Sequence, residues 1–421
     1  MLLLTGWGSW AQAQPANTSQ SPLAPDQSWP TLNGMVNAPN WLNLGLNVQS
    51  SFLGNPTGGT TKATNWVQQT TFDATVSPGL NKDRKQWTEA DHWTAHLELM
   101  VFSGTAGYGE AIGNAYALTA TDHPTGLWLT EATIQRKDRR GAFDIKAGIF
   151  SVNPGSVEAP VLNSYVNSVF NNTLNLNINN IPINPFVAPG IQLHWQPGQH
   201  DESAPEKAGN YGDWHYAAFL LDPENNLSSL FGVNPGQQQI NGHSQMLQWS
   251  FSKLPGTEIA SEPIHNQNQL ISRQLPPPLL QIGAGYLYDK ASQKATKHAF
   301  GSLTILSQLP IGLDNRFWIG ASGGDKTSLN LAPLFLSGGW LSQGILPGRP
   351  LDVLALGYGR SSFNNYINPG YSQESTIELN YNIAFNSTLS AQPFAQWMLN
   401  PAGNRSVKNI VALGIQLQLQ F

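Results

Sequence analysis

The closing segment of the chain alternates apolar and polar side chains without a break. In Gly414–Phe421, apolar residues occupy Ile415, Leu417, Leu419 and Phe421, and glutamine fills the positions between them. Because successive side chains of a strand point to opposite faces, this segment has one apolar face and one polar face. The pattern indicates either a half-buried strand of a soluble sheet or a strand with lipid on one side and water on the other.

The same unit recurs along the chain, as about ten alternating residues followed by a cluster of Pro, Gly and Asn. One example is WTAHLELMVF (93–102), with Leu97 and Leu99 on one face and His96 and Glu98 on the other. At about 25 residues per strand and connection, the chain accommodates roughly sixteen strands. The clearest segments are residues 41–52, 93–102, 143–150, 190–195, 375–385 and 391–399.

The composition favours the lipid-facing alternative. Charged residues make up only 11% of the chain, against about 25% in ordinary soluble proteins. The mean hydropathy is nevertheless −0.26, because Asn, Gln, Ser and Thr are abundant. No run approaches 18 apolar residues, so no transmembrane helix is expected. Only a closed barrel can then span a bilayer, and the predicted fold class is all-β, a transmembrane antiparallel β-barrel of about 16 strands.

Aromatic side chains at the ends of the predicted strands support this fold. Trp and Tyr favour the membrane–water interface, where a ring has one dry and one wet side. The alternative is that the 14 tryptophans pack a soluble core. The rings expected in the interfacial girdles are Trp41, Trp93, Trp128, Trp195, Trp397 and Phe421.

Three segments are expected along the chain. Residues 1–13 (MLLLTGWGSWAQA) combine a short apolar run with Ala11-Gln12-Ala13, which is typical of a signal peptide, here clipped at its start because no basic residue precedes the run. Residues 14–39, rich in Pro, Ser and Asn, are expected to be a disordered linker. Residues 40–421 are expected to form the barrel, with 163–184 and 255–278 as loops.

Several classes of function are excluded or disfavoured by composition. A net charge of −5 argues against nucleic-acid binding, which needs a basic patch. The chain has no cysteine, and hence no disulfide, thiolate metal site or cysteine nucleophile. His92 and His96 have the spacing of a helical metal site but fall on a predicted strand. No Ser–His–acid constellation is apparent, so neither an enzyme nor a cofactor is expected.

Several segments resemble the carbohydrate-selective porin (OprB) family. The similarity is strongest in the last ninety or so residues, in FLSGGWLSQGILPGRPLDVLALGYG (335–359), ESTIELNYNIAFNSTLSAQPFAQWMLNPAGN (374–404) and ALGIQLQLQF (412–421). It extends upstream to LTEATIQ (129–135) and PFVAPGIQLHW (185–195). The resemblance implies an outer-membrane barrel of porin type that admits sugars by diffusion, with a lumen narrowed by loops to an eyelet.

Candidate residues for the lumen and eyelet come from the alternation and from the family segment. An arginine offers five fixed donors to hydroxyl groups, and a nearby carboxylate accepts hydrogen bonds and holds it in place. The alternative is that these groups only hydrate the wall or brace it by cross-strand pairs. The candidates are Arg349 and Asp352 in the family's Pro-Gly-Arg region, and Glu131, Glu378, Glu98, Lys146, Arg316 and Gln396 on predicted strands.

The predicted function is passive, carbohydrate-selective diffusion of small sugars through a porin in the bacterial outer membrane. A general or ion-conducting pore is the alternative within the class, because both need a polar lumen. An outer-membrane enzyme and a soluble secreted β-protein such as a lectin are the rivals from other classes. The expected partners are the lipid bilayer and small carbohydrates, and a homo-oligomer is compatible with the sequence.

Overall fold

Sixteen antiparallel strands close into one barrel in a computed structural model of the chain. Each barrel strand pairs with its neighbours in chain order, and the last pairs with the first, so no sheet edge is left open. This confirms the predicted fold class. The expected signal peptide lies outside the described residues, which are 22–25, 30–77, 92–138, 142–153, 157, 159–171, 174, 181–197, 211–222, 240–266, 269–365 and 370–421.

The strands are β1 (Leu42–Thr57), β2 (Thr64–Val76), β3 (His92–Gly104), β4 (Gly126–Lys137), β5 (Phe143–Phe150), β6 (Ala188–Trp195), β7 (Asp213–Leu221), β8 (Gly242–Phe251), β9 (Ile264–Asn266), β10 (Gln269–Ile271), β11 (Leu279–Asp289), β12 (Lys294–Ser307), β13 (Asp314–Gly324), β14 (Leu334–Gln343), β15 (Val353–Ser362), β16 (Gln373–Ala384), β17 (Leu389–Leu399) and β18 (Ile410–Gln420). Of these, β9 and β10 form a separate two-stranded sheet.

The helices are short and lie in the connections. They are α1 (Leu32–Val36), α2 (Tyr108–Ala111), α3 (Ser168–Asn171) and α4 (Thr257–Ser261), with 3₁₀ turns at Pro160–Ser164 and Pro401–Gly403. None of these helices, within the part of the chain described, is long or apolar enough to cross a bilayer.

The closing strand has the predicted orientation. Leu413, Ile415 and Leu417 lie on the outer surface, with 51%, 38% and 38% of their area exposed. Gln416 points into the barrel and is 5% exposed. Leu413, Ile415 and Leu417 therefore belong to the outer band of the barrel and Gln416 to the lumen wall, whereas Ile410 and Ala412 at the start of the strand are buried against inner loop 1.

Exposed aromatic rings mark both ends of the barrel. The terminal end is the one at which β1 begins and β18 ends, and the loop end is the opposite one. Trp41, Trp93 and Trp195 are exposed at the terminal end, while Trp397 is exposed at the loop end near the stacked Phe52–Trp66 pair. The distribution fits two interfacial girdles.

Trp128 departs from the predicted girdle. The register between β3 and β4 shifts between Glu98 and Leu99, which leaves Thr130 as an extra residue of a β-bulge. Beyond a bulge the alternation of faces is offset by one residue. Trp128 therefore points inward, is fully buried, and lies edge-on to Phe102 with 5.4 Å between ring centroids.

Part of the predicted linker, residues 14–39, is structured where the structure describes it. Thr31 caps α1, its hydroxyl accepting from Gly34 N at 3.2 Å. Asn33 ties the helix to β1 by accepting from Leu44 N at 2.7 Å. The expectation of disorder is therefore wrong for α1, because contacts with the barrel supply the order that composition alone did not indicate.

Two connections at the loop end fold into the barrel. Inner loop 1 is residues 105–125, and inner loop 2 is the described part of the 151–187 connection, namely 151–153, 157, 159–171, 174 and 181–187. Tyr165 and Phe170 of inner loop 2 pack against Trp318 of β13, with ring centroids 5.6 and 6.3 Å from the indole. A large apolar cluster thus fills part of the lumen between β5–β8 and β12–β15, where the alternation alone predicted a wetted wall.

The terminal end is partly covered by the described residues of the 252–278 connection, in which 255–278 was expected from sequence to be a surface loop. This segment carries α4, β9 and β10, and Leu275 reaches the apolar cluster inside the barrel. Leu23 adds a parallel bridge to Ile271 at the edge of the β9–β10 sheet. The lumen is therefore narrowed from both ends.

The orientation of β18 predicts unequal costs for charge on its two faces. Leu417→Arg would place a guanidinium in hydrocarbon and is expected to destabilise the barrel by about 2–4 kcal/mol. Gln418→Arg, on the lumen face, should cost much less. Urea unfolding in phospholipid vesicles measures both, and a greater loss for Gln418→Arg than for Leu417→Arg would contradict the orientation.

Candidate functional site

Glu378 holds inner loop 2 against the barrel wall. Its side chain on β16 is fully buried, and its two carboxylate oxygens accept from Val166 N at 2.8 Å and Asn167 N at 2.7 Å. Asn380 and Gln396 donate to the same carboxylate at 2.6 and 3.1 Å. Glu378 was predicted to line the eyelet; it lies instead behind the loop and positions it.

Gln396, on β17, performs the same task for inner loop 1. Its amide nitrogen donates to Leu118 O at 2.8 Å, and its oxygen accepts from Asn167 Nδ2 at 3.0 Å. Gln416 of β18 adds a bond to Thr119 Oγ1 at 3.4 Å. Gln396 was predicted to line the lumen or eyelet; its hydrogen-bonding groups are instead occupied by Leu118 O, the Asn167 side chain and the Glu378 carboxylate.

The two inner loops are also bonded to each other. Ala120 N donates to Val166 O at 3.0 Å, and Ser168 N donates to Ala117 O at 3.1 Å. The loops therefore form one body that lies on β16–β18. Within the described residues, this body covers the lumen face of β16–β18 and also reaches Phe102 and Trp128 at the loop end of β3 and β4.

Arg349 and Asp352 lie in the turn between β14 and β15, at the terminal end. The guanidinium makes two hydrogen bonds to the carboxylate, at 2.7 and 2.8 Å, and a third to Ala384 O at 3.2 Å. The hydrogen bond that Arg349 donates to the Asp352 carboxylate raises the pKa of Arg349 above its usual value. The pair braces two neighbouring turns at the rim, so its predicted place in the constriction is wrong.

Arg316, another predicted lumen residue, is fully buried on β13. It donates to Pro276 O at 2.6 Å and pairs with Asp314 at 2.5 Å. Arg273 binds the second oxygen of Asp314 at 2.8 Å. These bonds fasten residues 252–278 across the terminal end, and they leave Arg316 out of reach of a solute.

Glu98, Glu131 and Lys146 are the predicted residues that the structure brings together on the lumen face of neighbouring strands, where all three are buried. They lie on β3, β4 and β5. Thr130 Oγ1 donates to Glu98 and Thr133 Oγ1 donates to Glu131, both at 2.7 Å, and Lys146 Nζ lies 3.5 Å from Glu131. Within the described residues, the second oxygen of each carboxylate has no hydrogen-bond partner and is free to accept one.

Asp73 is a member of this wall that sequence reasoning missed. It is directly opposite Glu98 on β2, and its carboxylate lies over Gly45, where a Cβ would approach it to 2.1 Å. Three carboxylates thus occupy neighbouring strands, although like charges placed side by side destabilise a sheet. The alternation in TNWVQQTTFDATV (64–76) was the signal that could have placed Asp73 on the lumen face.

A second set of polar side chains, also missed, lies nearer the terminal end. Asp144, His194 and His215 are directly paired across β5, β6 and β7 on the lumen face. His194 Nδ1 lies 3.0 Å from Asp144 Oδ2. The alternation in FDIKAGIF (143–150) and GIQLHW (190–195) already placed Asp144 and His194 inward, but nothing in the sequence indicated that they are neighbours.

Inner loop 1 carries its own buried titratable groups. The carboxylate of Asp122 accepts from Gly107 N at 2.7 Å and Tyr108 N at 3.0 Å, while burial raises its pKa. Burial lowers the pKa of His123 to about 4. His123 lies among aromatic rings, 5.0 Å from Phe102 and 5.8 Å from Phe186 between centroids, so it is neutral near pH 7 and adds no charge to the lumen.

Comparison with known families and structures agrees with this architecture. The family model described as carbohydrate-selective porin, OprB family, matches residues 91–421. Among proteins with curated descriptions, none matches the chain.

Among solved structures, the high-pH structure of Pseudomonas putida OprB aligns with a TM-score of 0.69 at 16% identity, covering 91% of this chain and 94% of that one. Salmonella typhi OmpF in complex with daunomycin aligns with a TM-score of 0.52 at 12% identity, covering 91% and 99%. At such identities the likeness shows the fold alone.

Removal of the Glu378 carboxylate is expected to release the inner loops. Glu378→Ala would leave several backbone and amide N–H groups without an acceptor, each at a cost of about 1–3 kcal/mol when buried. The loops should then detach from β16 and the single-channel conductance should rise. Planar-bilayer recording measures this, with the exposed Glu110→Ala on inner loop 1 as the matched control. Equal conductance in both variants and the parent would contradict the anchoring role.

Proposed function

The chain belongs to the carbohydrate-selective porin family, OprB, and on that premise we propose that sugars diffuse between the inner loops and the wall formed by β2–β6. One observation carries this assignment. The inner loops are fastened to β16–β18 through Glu378 and Gln396, so passage is left to the opposite side of the lumen.

Glu98, Glu131 and Lys146 are the proposed sugar contacts, with Asp73 beside them. A sugar hydroxyl both donates and accepts, and here it meets carboxylate oxygens on β3 and β4 and an ammonium group on β5. The threonines at 2.7 Å and the ion pair at 3.5 Å hold these groups in place. Such contacts are strong enough to orient a sugar and weak enough to release it, as passive conduction requires.

The family and the fold indicate a channel rather than an enzyme. We place the barrel in the bacterial outer membrane, with its outer apolar residues in contact with lipid and the aromatic girdles at the two interfaces. Small carbohydrates are its proposed cargo, and transport needs no cofactor. A pore without sugar selectivity is less well supported, because it does not explain a narrowed lumen within this family.

Loss of one sugar contact should weaken binding in the pore. We expect Glu131→Ala to raise the sugar concentration that half-blocks the ion current about tenfold, equivalent to about 1.4 kcal/mol. Arg349→Gln removes the rim brace that the sequence had placed in the constriction, and it should leave this concentration unchanged. The measurement is glucose-dependent current noise in planar bilayers. An effect of Arg349→Gln without one of Glu131→Ala would contradict the proposed pathway.

A further inference from the structure

Asp144, His194 and His215 form a second cluster that takes no part in holding the inner loops or in the proposed sugar contacts. We propose that this cluster binds one divalent transition-metal ion, with His194 and His215 as ligands and Asp144 as the group that orients His194. The assignment rests on the geometry of the three side chains and is independent of the proposed sugar pathway.

Asp144 fixes the orientation of the His194 ring. Its Oδ2 lies 3.0 Å from His194 Nδ1, and its Oδ1 accepts from Gln135 Nε2 at 3.1 Å. A carboxylate in this position holds the ring proton on Nδ1 and leaves the lone pair on Nε2. Histidines that bind metal ions almost always have such a carboxylate or carbonyl partner on their other nitrogen.

His215 lies against His194 at a spacing that one ion can bridge. The two residues are directly opposite each other on β6 and β7, and their rings are stacked with centroids 4.2 Å apart and planes 12° apart. Two metal–nitrogen bonds of about 2.0–2.1 Å span up to about 4 Å. Because the nitrogen lone pairs lie in the ring planes, both imidazoles must rotate out of this stacked arrangement to direct them at a shared ion.

The nitrogens that would bind the ion have no other partner. His194 Nε2 and His215 Nδ1 are both buried and make no hydrogen bond within the described residues. Leaving a buried polar group unsatisfied costs about 1–3 kcal/mol. A metal ion would accept the lone pairs of both nitrogens, so one bound ion would give both unpartnered atoms a partner.

The donor set selects the class of ion. Imidazole nitrogens suit Zn²⁺, Cu²⁺ and Ni²⁺, whereas Ca²⁺ and Mg²⁺ require oxygen ligands. No three His, Cys, Asp or Glu side chains in the described part of the chain are grouped to hold an ion. The site is thus a two-histidine site completed by water. Asp213, two residues before His215 on the same face, adds negative charge nearby.

Calorimetric titration of the refolded full chain with Zn²⁺ at pH 7.5 tests the site. We expect one equivalent to bind and EDTA to remove it. His194→Gln and His215→Gln should each weaken binding at least tenfold, and Asp144→Asn should weaken it less. His243→Ala, which removes an exposed histidine on the outer surface, is the matched control and should bind like the parent.

Cu²⁺ electron paramagnetic resonance provides an independent readout and should show two nitrogen ligands in the parent and one in each histidine variant. The glutamine variants keep a polar side chain, and heat-modifiable migration on a gel verifies that each one folds. Absence of Zn²⁺ uptake by the parent up to millimolar concentration would overturn the proposal. Equal Zn²⁺ uptake by the parent and by the double variant His194→Gln/His215→Gln would also overturn it. So would a parent in which His194 and His215 take up protons on acidification but bind no Zn²⁺.

Discussion

The hydrogen bonds between the Glu378 carboxylate and the backbone of inner loop 2 decide the shape of the lumen. A barrel of sixteen strands encloses more space than its own side chains fill, so what enters that space decides what can pass. Here a buried carboxylate on β16 accepts from two consecutive backbone N–H groups, Val166 and Asn167. With inner loop 1 bonded to the same body, the loops cover the wall of β16–β18 and reach the loop end of β3 and β4, and we propose that conduction follows the rest of the β2–β6 wall.

The unusual composition of the chain follows from this arrangement. Loop backbone inside a barrel needs partners for its N–H and C=O groups, and charged partners are costly to bury. Amide side chains avoid that cost because each one donates and accepts. Asn380 and Gln392 both donate to Ser164 O, at 3.0 and 2.8 Å, and Gln396 and Gln416 serve inner loop 1. Neutral polar residues thus share with Glu378 the fastening of the loops, and charged residues remain few.

Sequence reasoning predicted the barrel and the inward or outward direction of most strand residues. Period-two alternation is a local property, and it places Leu417 outward and Gln416 inward without further information. Alternation does not reveal a bulge. One extra residue at Thr130 offsets the inward and outward faces beyond it, and Trp128 was therefore assigned to the wrong face. Alternation also does not reveal what covers a face, since inner loops 1 and 2 reach the wall from distant parts of the chain.

The eight predicted lumen residues show the same limit. Glu98, Glu131 and Lys146 lie together on the lumen face of β3–β5, whereas Glu378 and Gln396 face the lumen but lie beneath the loops. Arg316 is covered by residues 252–278. Arg349 and Asp352 lie in a segment that resembles the family, and in this chain they brace a turn. Resemblance to the family therefore predicts where a charged residue lies in the fold more reliably than it predicts whether that residue contacts the solute.

The position of the pathway is the central claim, and site-directed labelling tests it most directly. The chain has no cysteine, so a single introduced thiol is the only reactive one. Gln135→Cys would place it on the lumen face of β4, and Thr376→Cys would place it on β16 at a fully buried position. In liposomes, a small charged thiol reagent should label Gln135→Cys rapidly, glucose should slow that labelling, and Thr376→Cys should stay unlabelled. Rapid, glucose-sensitive labelling at Thr376→Cys with none at Gln135→Cys would contradict the account.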